Sequence, residues 1–554
     1  MMQDKPLFVQ SDKTMLLDVH SPIAEEVRGK LSAFAELVKS PEHMHTYQVS
    51  SISIWNAAAM GYTYEQIVNT LQEYSRFDIP QSLLFFIKDN LDRYGAIKLT
   101  PFDEKYYLLT VNGNLFKAQI TSSKPVMAIL QQYSENSFLV PWYKRGEIKI
   151  QLIKLGFPID DLIPLKKGEK LEIEERTTAL SGKSFQVRKY QDEAVKAFLG
   201  TTEMQKGYGN IILPCGSGKT VVGIHTLCAL KTHTLILCPN VTSVHQWKRE
   251  ILDKTTISED MIGEYSGEVK EVKPITIATY QILIYRSGEN DEYKHFSLMT
   301  DHPWGLVIYD EVHMLPATCF KVTAEIQSMY RLGLTATLVR EDHREAEVFS
   351  LVGPKRYDTP WSVLERQGFI ATAYCHEIRV PLSEDAAIEY VKAKGAAGRY
   401  RVAAENPMKF EYLKLLLEKH KDDRVLIIAQ YLDQLAEVKK RFGFPMITGS
   451  TGNKKRDELY DAFRSGKEKV LIVSKVANYA IDLPDASVAI QLSGSFGSRQ
   501  EEAQRLGRIL RPKDRDSHFY TIVTKFTSEE DFAQNRQKFL AEQGYSYEIE
   551  SPEL

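Results

Sequence analysis

The segment Leu213-Pro214-Cys215-Gly216-Ser217-Gly218-Lys219-Thr220 ends on a glycine turn, a lysine and a threonine. A short apolar run, NIILP, leads into it, and an apolar-striped helical pattern, VVGIHTLCAL, follows. A strand, a glycine loop and a helix start bring successive backbone N–H groups and a helix N-terminus to bear on one anion. Gly216, Ser217 and Gly218 form the turn, and the two glycines let the backbone approach phosphate oxygens. Lys219 is placed to bridge the β- and γ-phosphates of a nucleotide, and Thr220 to hold Mg²⁺. Leu213 stands where the G-x-x-x-x-G-K-[ST] signature has its first glycine. Taken alone, the loop leaves open a glycine-rich β–α turn with an incidental lysine.

Downstream, WGLVIYDEVHML ends a buried-strand pattern on adjacent carboxylates, Asp310 and Glu311. At the carboxyl end of a parallel strand they face the same crevice as a phosphate loop. Asp310 then suits Mg²⁺ held through water, and Glu311 suits taking a proton from an attacking water. Together the two segments predict hydrolysis of ATP. A third segment, GSRQEEAQRLGRILRPK, spaces Gln504, Arg505, Arg508 and Arg511 three or four apart, as on one helix face. Arg508 and Arg511 are candidates for an arginine finger reaching a γ-phosphate, with Gln504 and Arg505 bridging to the preceding domain.

These residues need elements to hold them. A chain of 554 residues exceeds one core and predicts two to four domains. Hydrophobic residues at 43% and charged residues at 26% are those of an ordinary globular protein. No apolar run approaches the ~20 residues of a membrane helix, and no secretory signal opens the chain, which predicts a cytoplasmic protein without a membrane partner. A net charge of −3 gives no general support for a nucleic-acid partner, although a local basic groove would suffice. The cysteines (Cys215, Cys228, Cys238, Cys319, Cys375) form no C-x-x-C, so buried, reduced thiols are expected. His43 and His45 lack the further ligands of a zinc site.

Residues 1–100 read as a helical domain, in which TYEQIVNTLQEYSRFDIPQSLLFFIKDNLDRYG makes two helices around a turn at Asp78 and Pro80. That pair is either a DNA-reading helix-turn-helix or a packing module. Residues 101–172 read as a small mixed α/β domain, with strands in KYYLLTV, GNLFKAQI and EIKIQLIKLGF and a helix in PVMAILQQYS. From 173 to 368, buried-strand runs (NIILP, HTLILCP, ITIAT, GLVIYD, RLGLTAT) alternate with helix-length stretches. The rhythm resumes over 369–554 with DRVLIIAQ, EKVLIVSK, SVAIQLSG and HFYTIVTK. The class is α/β, with two tandem parallel-sheet domains.

DEVH, LGLTATLVRED and QRLGRILR, in that order, resemble the superfamily 2 helicases, and within them the XPB-type DNA repair helicases of the bacterial branch. The resemblance implies RecA-like folds for both parallel-sheet domains. It also implies an ATP-dependent 3′→5′ DNA helicase or duplex translocase in nucleotide-excision-type repair, with Mg²⁺ as cofactor. VRKYQ resembles the adenine-reading element, with Gln191 the base contact and Arg188 also at the ATP. LILCPNVTSVHQWKRE and IATYQIL stand where the family grips one strand, which puts Gln246, Trp247, Lys248 and Thr279 at DNA. Arg340-Glu341-Asp342 matches an element implicated in opening DNA, the alternative being a charged surface loop. Asp482 matches a ribose contact, although Ala477-Asn478 departs from the usual Gly-Asp pair. The segment 383–402, with Lys392, Lys394, Arg399 and Arg401, resembles a short thumb insertion or else a solvated helix surface. Residues 101–172 correspond in position to a damage-recognition-like domain. The implied partners are single-stranded, duplex or forked DNA and an associated nuclease or repair protein. Two other readings are an RNA-directed or restriction-type motor and a non-catalytic scaffold. The scaffold would be marked by loss of Lys219, Glu311 or Arg508, and all three are present.

Overall fold

The structure, a computed structural model, describes residues 5–39, 43–163, 167–182, 184–200, 207–214, 216–285, 294–295, 298, 301–315, 328–336, 345–359, 361–474, 486–494, 502, 505–507, 509, 516–542, 545 and 547–551. The chain divides into two compact units, residues 1–212 with 219–358 and residues 213–218 with 359–554.

The first unit opens with strands, not helices. β1 (Leu7–Val9), β2 (Thr14–Asp18), β3 (Glu36–Lys39) and β4 (Met44–Gln48) form an antiparallel sheet in the order β1-β2-β4-β3. Leu7, Val9, Met15, Leu17 and Tyr47 fill its buried face. The strands are short and broken by charge, so their alternation is lost in a purely helical reading of this region. The helices Tyr64–Tyr74 and Gln81–Arg93 follow as the spacing predicts, burying Ile67, Leu71 and Tyr74 on one and Leu83 and Ile87 on the other. Thr63 and Gln66 close the first helix with a capping box, which satisfies two otherwise orphaned amide donors.

A five-stranded sheet comes next: β5 (Ile97–Pro101), β6 (Tyr106–Val111), β7 (Gln131–Ser134), β8 (Ser137–Pro141) and β9 (Ile159–Asp161), ordered β7-β8-β6-β5-β9. Two expected strands are helices here. GNLFKAQI forms Asn114–Thr121, entered from Gly113 at φ 106°, and EIKIQLIK falls in Arg145–Lys154. The expected helix PVMAILQQYS holds only the short helix Lys124–Met127 before turning into β7. In Arg145–Lys154 the alternation of apolar and polar residues mimics a strand. The helix wins because it buries Ile148 and Leu152 four apart and also buries Arg145 and Lys149 against Asp161. Arg145 reaches Asp161 at 2.9 Å and Lys149 at 3.1 Å. Arg331 lines the same small cavity as Lys149 and Asp161. Burial alone would raise the Asp161 carboxyl, but the facing cations hold it well below the usual carboxylate range.

β10 (Tyr208–Ile212), β11 (Thr234–Cys238), β12 (Ile262–Tyr265), β13 (Ile275–Thr279), β14 (Leu306–Asp310), β15 (Tyr330–Thr335) and β16 (Lys355–Asp358) make an all-parallel sheet ordered β12-β13-β11-β14-β15-β10-β16. The second unit repeats the plan with β17 (Ala373–Val380), β18 (Val425–Ala429), β19 (Met446–Ile447), β20 (Val470–Ser474), β21 (Val488–Gln491), β22 (Ser517–Thr524) and β23 (Tyr547–Glu550), ordered β19-β20-β18-β21-β22-β17-β23. The central strands of both sheets are buried on both faces and read as continuous apolar runs, as parallel sheets require. Beneath the second sheet, Lys409 pairs with Glu529 at 2.6 Å, both fully buried. Cys228, Cys238 and Cys375 are buried free thiols, as expected. Cys215 and Cys319 lie outside the described residues.

Candidate ATP site and nucleic-acid contacts

Because the first sheet is parallel throughout, the carboxyl ends of β10, β14 and β15 share one edge, with β15 between the other two. After β10, Gly216 and Gly218 turn with φ of 80° and 84°, backbone conformations that need glycine. Ser217 is buried, its hydroxyl donating to the Pro214 carbonyl at 2.6 Å. Leu213 is fully buried, so the departure from the usual signature falls on a packing position rather than on the turn. The helix Lys219–Leu230 then begins with Lys219 and Thr220.

The lysine and the acidic strand meet. Lys219 Nζ lies 3.4 Å from Glu311 Oε1, in a partly exposed pocket. Glu311 sits at φ 47° and ψ 55°, a left-handed conformation that a non-glycine side chain seldom adopts and that turns it out of line with β14. Asp310 keeps its place at the strand end. Its backbone carbonyl accepts from the Tyr280 hydroxyl at 2.8 Å, and its Oδ2 accepts from the Trp247 indole N–H at 2.9 Å. Burial and the neighbouring Glu311 charge push the Asp310 carboxyl up to about 6, against the pull of Trp247 and Lys219. His313, buried, shares a 2.7 Å hydrogen bond with Thr335 Oγ1 and lies 3.4 Å from Glu311 Oε2. The acidic turn is thus tied to the end of β15.

Residues 364–552 match the family model of the ERCC3/RAD25/XPB C-terminal helicase. Residues 184–340 match that of the type III restriction enzyme res subunit, and residues 7–133 a helicase conserved C-terminal domain. The DNA 3′-5′ helicase XPB of Kineococcus radiotolerans is 45% identical over 551 residues, covering 99% of this chain and 97% of the relative. That of Mycobacterium tuberculosis is 45% identical over the same length, covering 99% and 98%. The chain belongs to the XPB family of DNA helicases. A more distant member of the family is the general transcription and DNA repair factor IIH helicase/translocase subunit XPB of Enterocytozoon bieneusi. It is 32% identical over 566 residues, covering 98% of this chain and 92% of the relative.

Not every residue assigned to a site on the XPB pattern stands where that pattern suggests. Trp247, expected at DNA, is 1% exposed and donates to Asp310, so it braces that carboxylate instead of presenting a surface. The signal was in the sequence: Val244, Trp247 and Ile251 recur at i, i+3 and i+7 along the helix Val241–Lys254, and all three are buried. Gln246 is half-buried on that helix. Lys248 is held 3.2 Å from both Glu259 and Glu264. Thr279 is buried at the end of β13. Arg188 and Gln191 open the helix Lys189–Leu199, where the Arg188 backbone N–H donates to the Gln191 side-chain oxygen at 2.9 Å. Arg505, expected to bridge to the first domain, is instead fully buried in the second unit, donating to Gln491 on β21. Glu502, Arg505, Leu506 and Ile509 are all buried, the spacing of a core-facing helix stripe. Gln504, Arg508, Arg511, Asp482 and Arg340-Glu341-Asp342 lie outside the described residues. In the thumb-like segment, Arg401 pairs with Glu405 and Asp433, while Lys392, Lys394 and Arg399 are exposed.

Proposed function

We propose that this chain couples ATP hydrolysis to 3′→5′ movement on DNA, separating strands or translocating on duplex in nucleotide-excision-type repair in the cytoplasm. The observation that carries the reading is the 3.4 Å approach of Lys219 to Glu311 beside a desolvated Asp310. With ATP bound, Lys219 shifts its charge from Glu311 to the phosphates and so frees the carboxylate. Glu311 then accepts a proton from the water whose oxygen attacks the γ-phosphorus, as the bond to the β–γ bridging oxygen breaks. Asp310 and Thr220 suit Mg²⁺, because a hard divalent cation would offset the burial and the Glu311 charge that raise the Asp310 carboxyl. Mg²⁺ bound there would supply charge neutralisation at the phosphate oxygens.

Arg508 and Arg511 are the proposed arginine fingers, with Gln504 beside them. Asp482 is the proposed ribose contact, Gln191 the base contact, and Arg188 a further ATP contact. Arg340-Glu341-Asp342 is proposed to open the duplex, and Gln246, Lys248 and Thr279 to hold one strand. No helix among the described residues is long and apolar enough to cross a membrane. An associated nuclease or other repair protein is the proposed partner, a reading supported by a relative whose name makes it one subunit of a larger factor.

The test is ATP turnover by the pure chain alone and with single-stranded DNA, duplex, forked duplex or RNA, beside Glu311→Gln and Arg508→Ala. Stimulation by DNA, with Glu311→Gln still binding nucleotide but slowed about 10²–10⁴-fold, is expected. Stimulation by RNA alone would overturn the assignment to DNA.

A further inference from the structure

At the edge of the second sheet, β23 pairs in parallel with β17, and His376 stands directly opposite Glu548. Glu550, two residues on, shares that face of the strand. His376 Nδ1 lies 3.4 Å from Glu548 Oε2 and 3.4 Å from Glu550 Oε1. One ligand atom from each of the three residues falls within 4.8 Å of the others, the one such grouping among the described residues. His376 is 7% exposed, and its Nδ1 lacks a hydrogen bond of good geometry.

The far side of the ring explains why Nδ1 is left over. Nε2 lies 3.4 Å from His518 Nδ1, and Tyr520 stacks on the imidazole at 4.5 Å with planes 13° apart. His420 holds the Tyr520 hydroxyl at 2.9 Å and so braces the stack. When the Nε2 proton is donated to His518, the Nδ1 lone pair points at two carboxylates. Three electron-rich atoms then converge, an arrangement that repels unless a proton or a metal cation enters between them. A neighbouring acceptor that fixes the ring tautomer and frees the other nitrogen is the outer support that metal-binding histidines have.

We propose that His376, Glu548 and Glu550 form a divalent-metal site for Zn²⁺ or a similar first-row ion, clipping the edge strand β23 to β17. One imidazole and two carboxylates, with water completing the shell, suit such borderline ions better than Ca²⁺, which takes six to eight oxygen ligands. The carboxylates are the accessible part, Glu548 at 71% and Glu550 at 40% side-chain exposure, so the ion has an entry path from solvent. The site shares no residue with the ATP machinery.

The test is calorimetric titration of the chelator-stripped, nucleotide-free full chain with Zn²⁺, with Co²⁺ as a spectroscopic probe. Wild type, His376→Ala and a Glu548→Gln/Glu550→Gln double variant are compared. Because the two glutamates are surface-exposed, the double variant keeps the test valid if His376→Ala misfolds. The expected result is one ion per chain, with affinity falling more than about 10–100-fold in the double variant, since loss of direct ligands exceeds loss of their outer supports. Co²⁺ should show visible d–d bands in wild type only, and Zn²⁺ should raise Tm in wild type only, while ATP turnover by the double variant stays unchanged. No binding by wild type, or equal affinity and equal Co²⁺ spectra in the double variant, would overturn the site and leave the group as an ordinary ion pair.

Discussion

Trp247 and Asp310 are joined by a 2.9 Å hydrogen bond from the indole N–H to the carboxylate, although they lie on different elements, a helix and a strand end. The bond does two things. It fixes the orientation of the carboxylate, and it draws down a carboxyl that burial and Glu311 push up to about 6.

Trp247→Phe keeps most of the bulk and removes the donor. Hydrogen bonds to charged groups contribute about 1.5–3 kcal/mol, so kcat is expected to fall about 10–100-fold with little change in KM. The pH profile separates this from a packing defect. On the proposed role of Asp310 as a carboxylate, kcat/KM is expected to be full above its pKa and to be lost as pH falls through about 6. Without the indole donor the carboxyl rises further, and the acid limb of the kcat/KM profile, which reports the free enzyme, should move to higher pH. An unmoved limb would reduce Trp247 to packing alone.

Gly223 makes room for that tryptophan. A Cβ at Gly223 would come within 2.4 Å of Trp247 Cη2 and 3.3 Å of Leu334 Cδ1. Gly223→Ala should therefore overpack the helix against the sheet, costing about 1–3 kcal/mol and lowering Tm. A phenylalanine at 247 lacks the clashing atoms. In a Trp247→Phe background the same substitution should cost clearly less, a non-additivity that a double-mutant cycle in denaturant would measure. Additive costs would show that the ring is not the obstacle.

The strand-end carboxylates, the glycine loop and the two parallel sheets were legible because buried parallel strands are unbroken apolar runs. The motifs sit at their ends, so finding the strand finds the site. Arg145–Lys154 was misread because its alternation matches a strand until one knows that Asp161 waits to bury Arg145 and Lys149. That is a contact between helix and strand that no local pattern contains. The edge strands β12, β16 and β23 carry charge and only four residues each, too few to show a period. Trp247 was placed by family motif and Arg505 by its spacing to Arg508 and Arg511, although the helical spacing of their apolar neighbours marks a buried face.

Asp161→Asn tests the charged cluster beneath β15. The substitution leaves Arg145, Lys149 and Arg331 buried without their anion, and breaking such a pair typically costs about 3–5 kcal/mol. Asp161 has its carboxyl depressed in the fold, so its contribution is present above the ordinary carboxylate pKa of about 4 and fades as pH falls below it. Wild-type unfolding should show that acid loss, and the variant should be less stable at neutral pH and flatter across the acid range. Thermal unfolding at several pH values measures both.

The same cluster bears on how a motor of this kind does mechanical work. Asp161 belongs to the mixed domain and Arg331 to β15, and β15 ends at Thr335, which is bonded to His313 beside Glu311. Lys355, on the sheet's edge strand, takes an N-terminal anchor as well, its amide donating to Asn56 at 2.9 Å. The front third of the chain is therefore bolted to the engine block rather than hung from a hinge. Load borne by that region is expected to pass directly to the strand that ends beside Glu311.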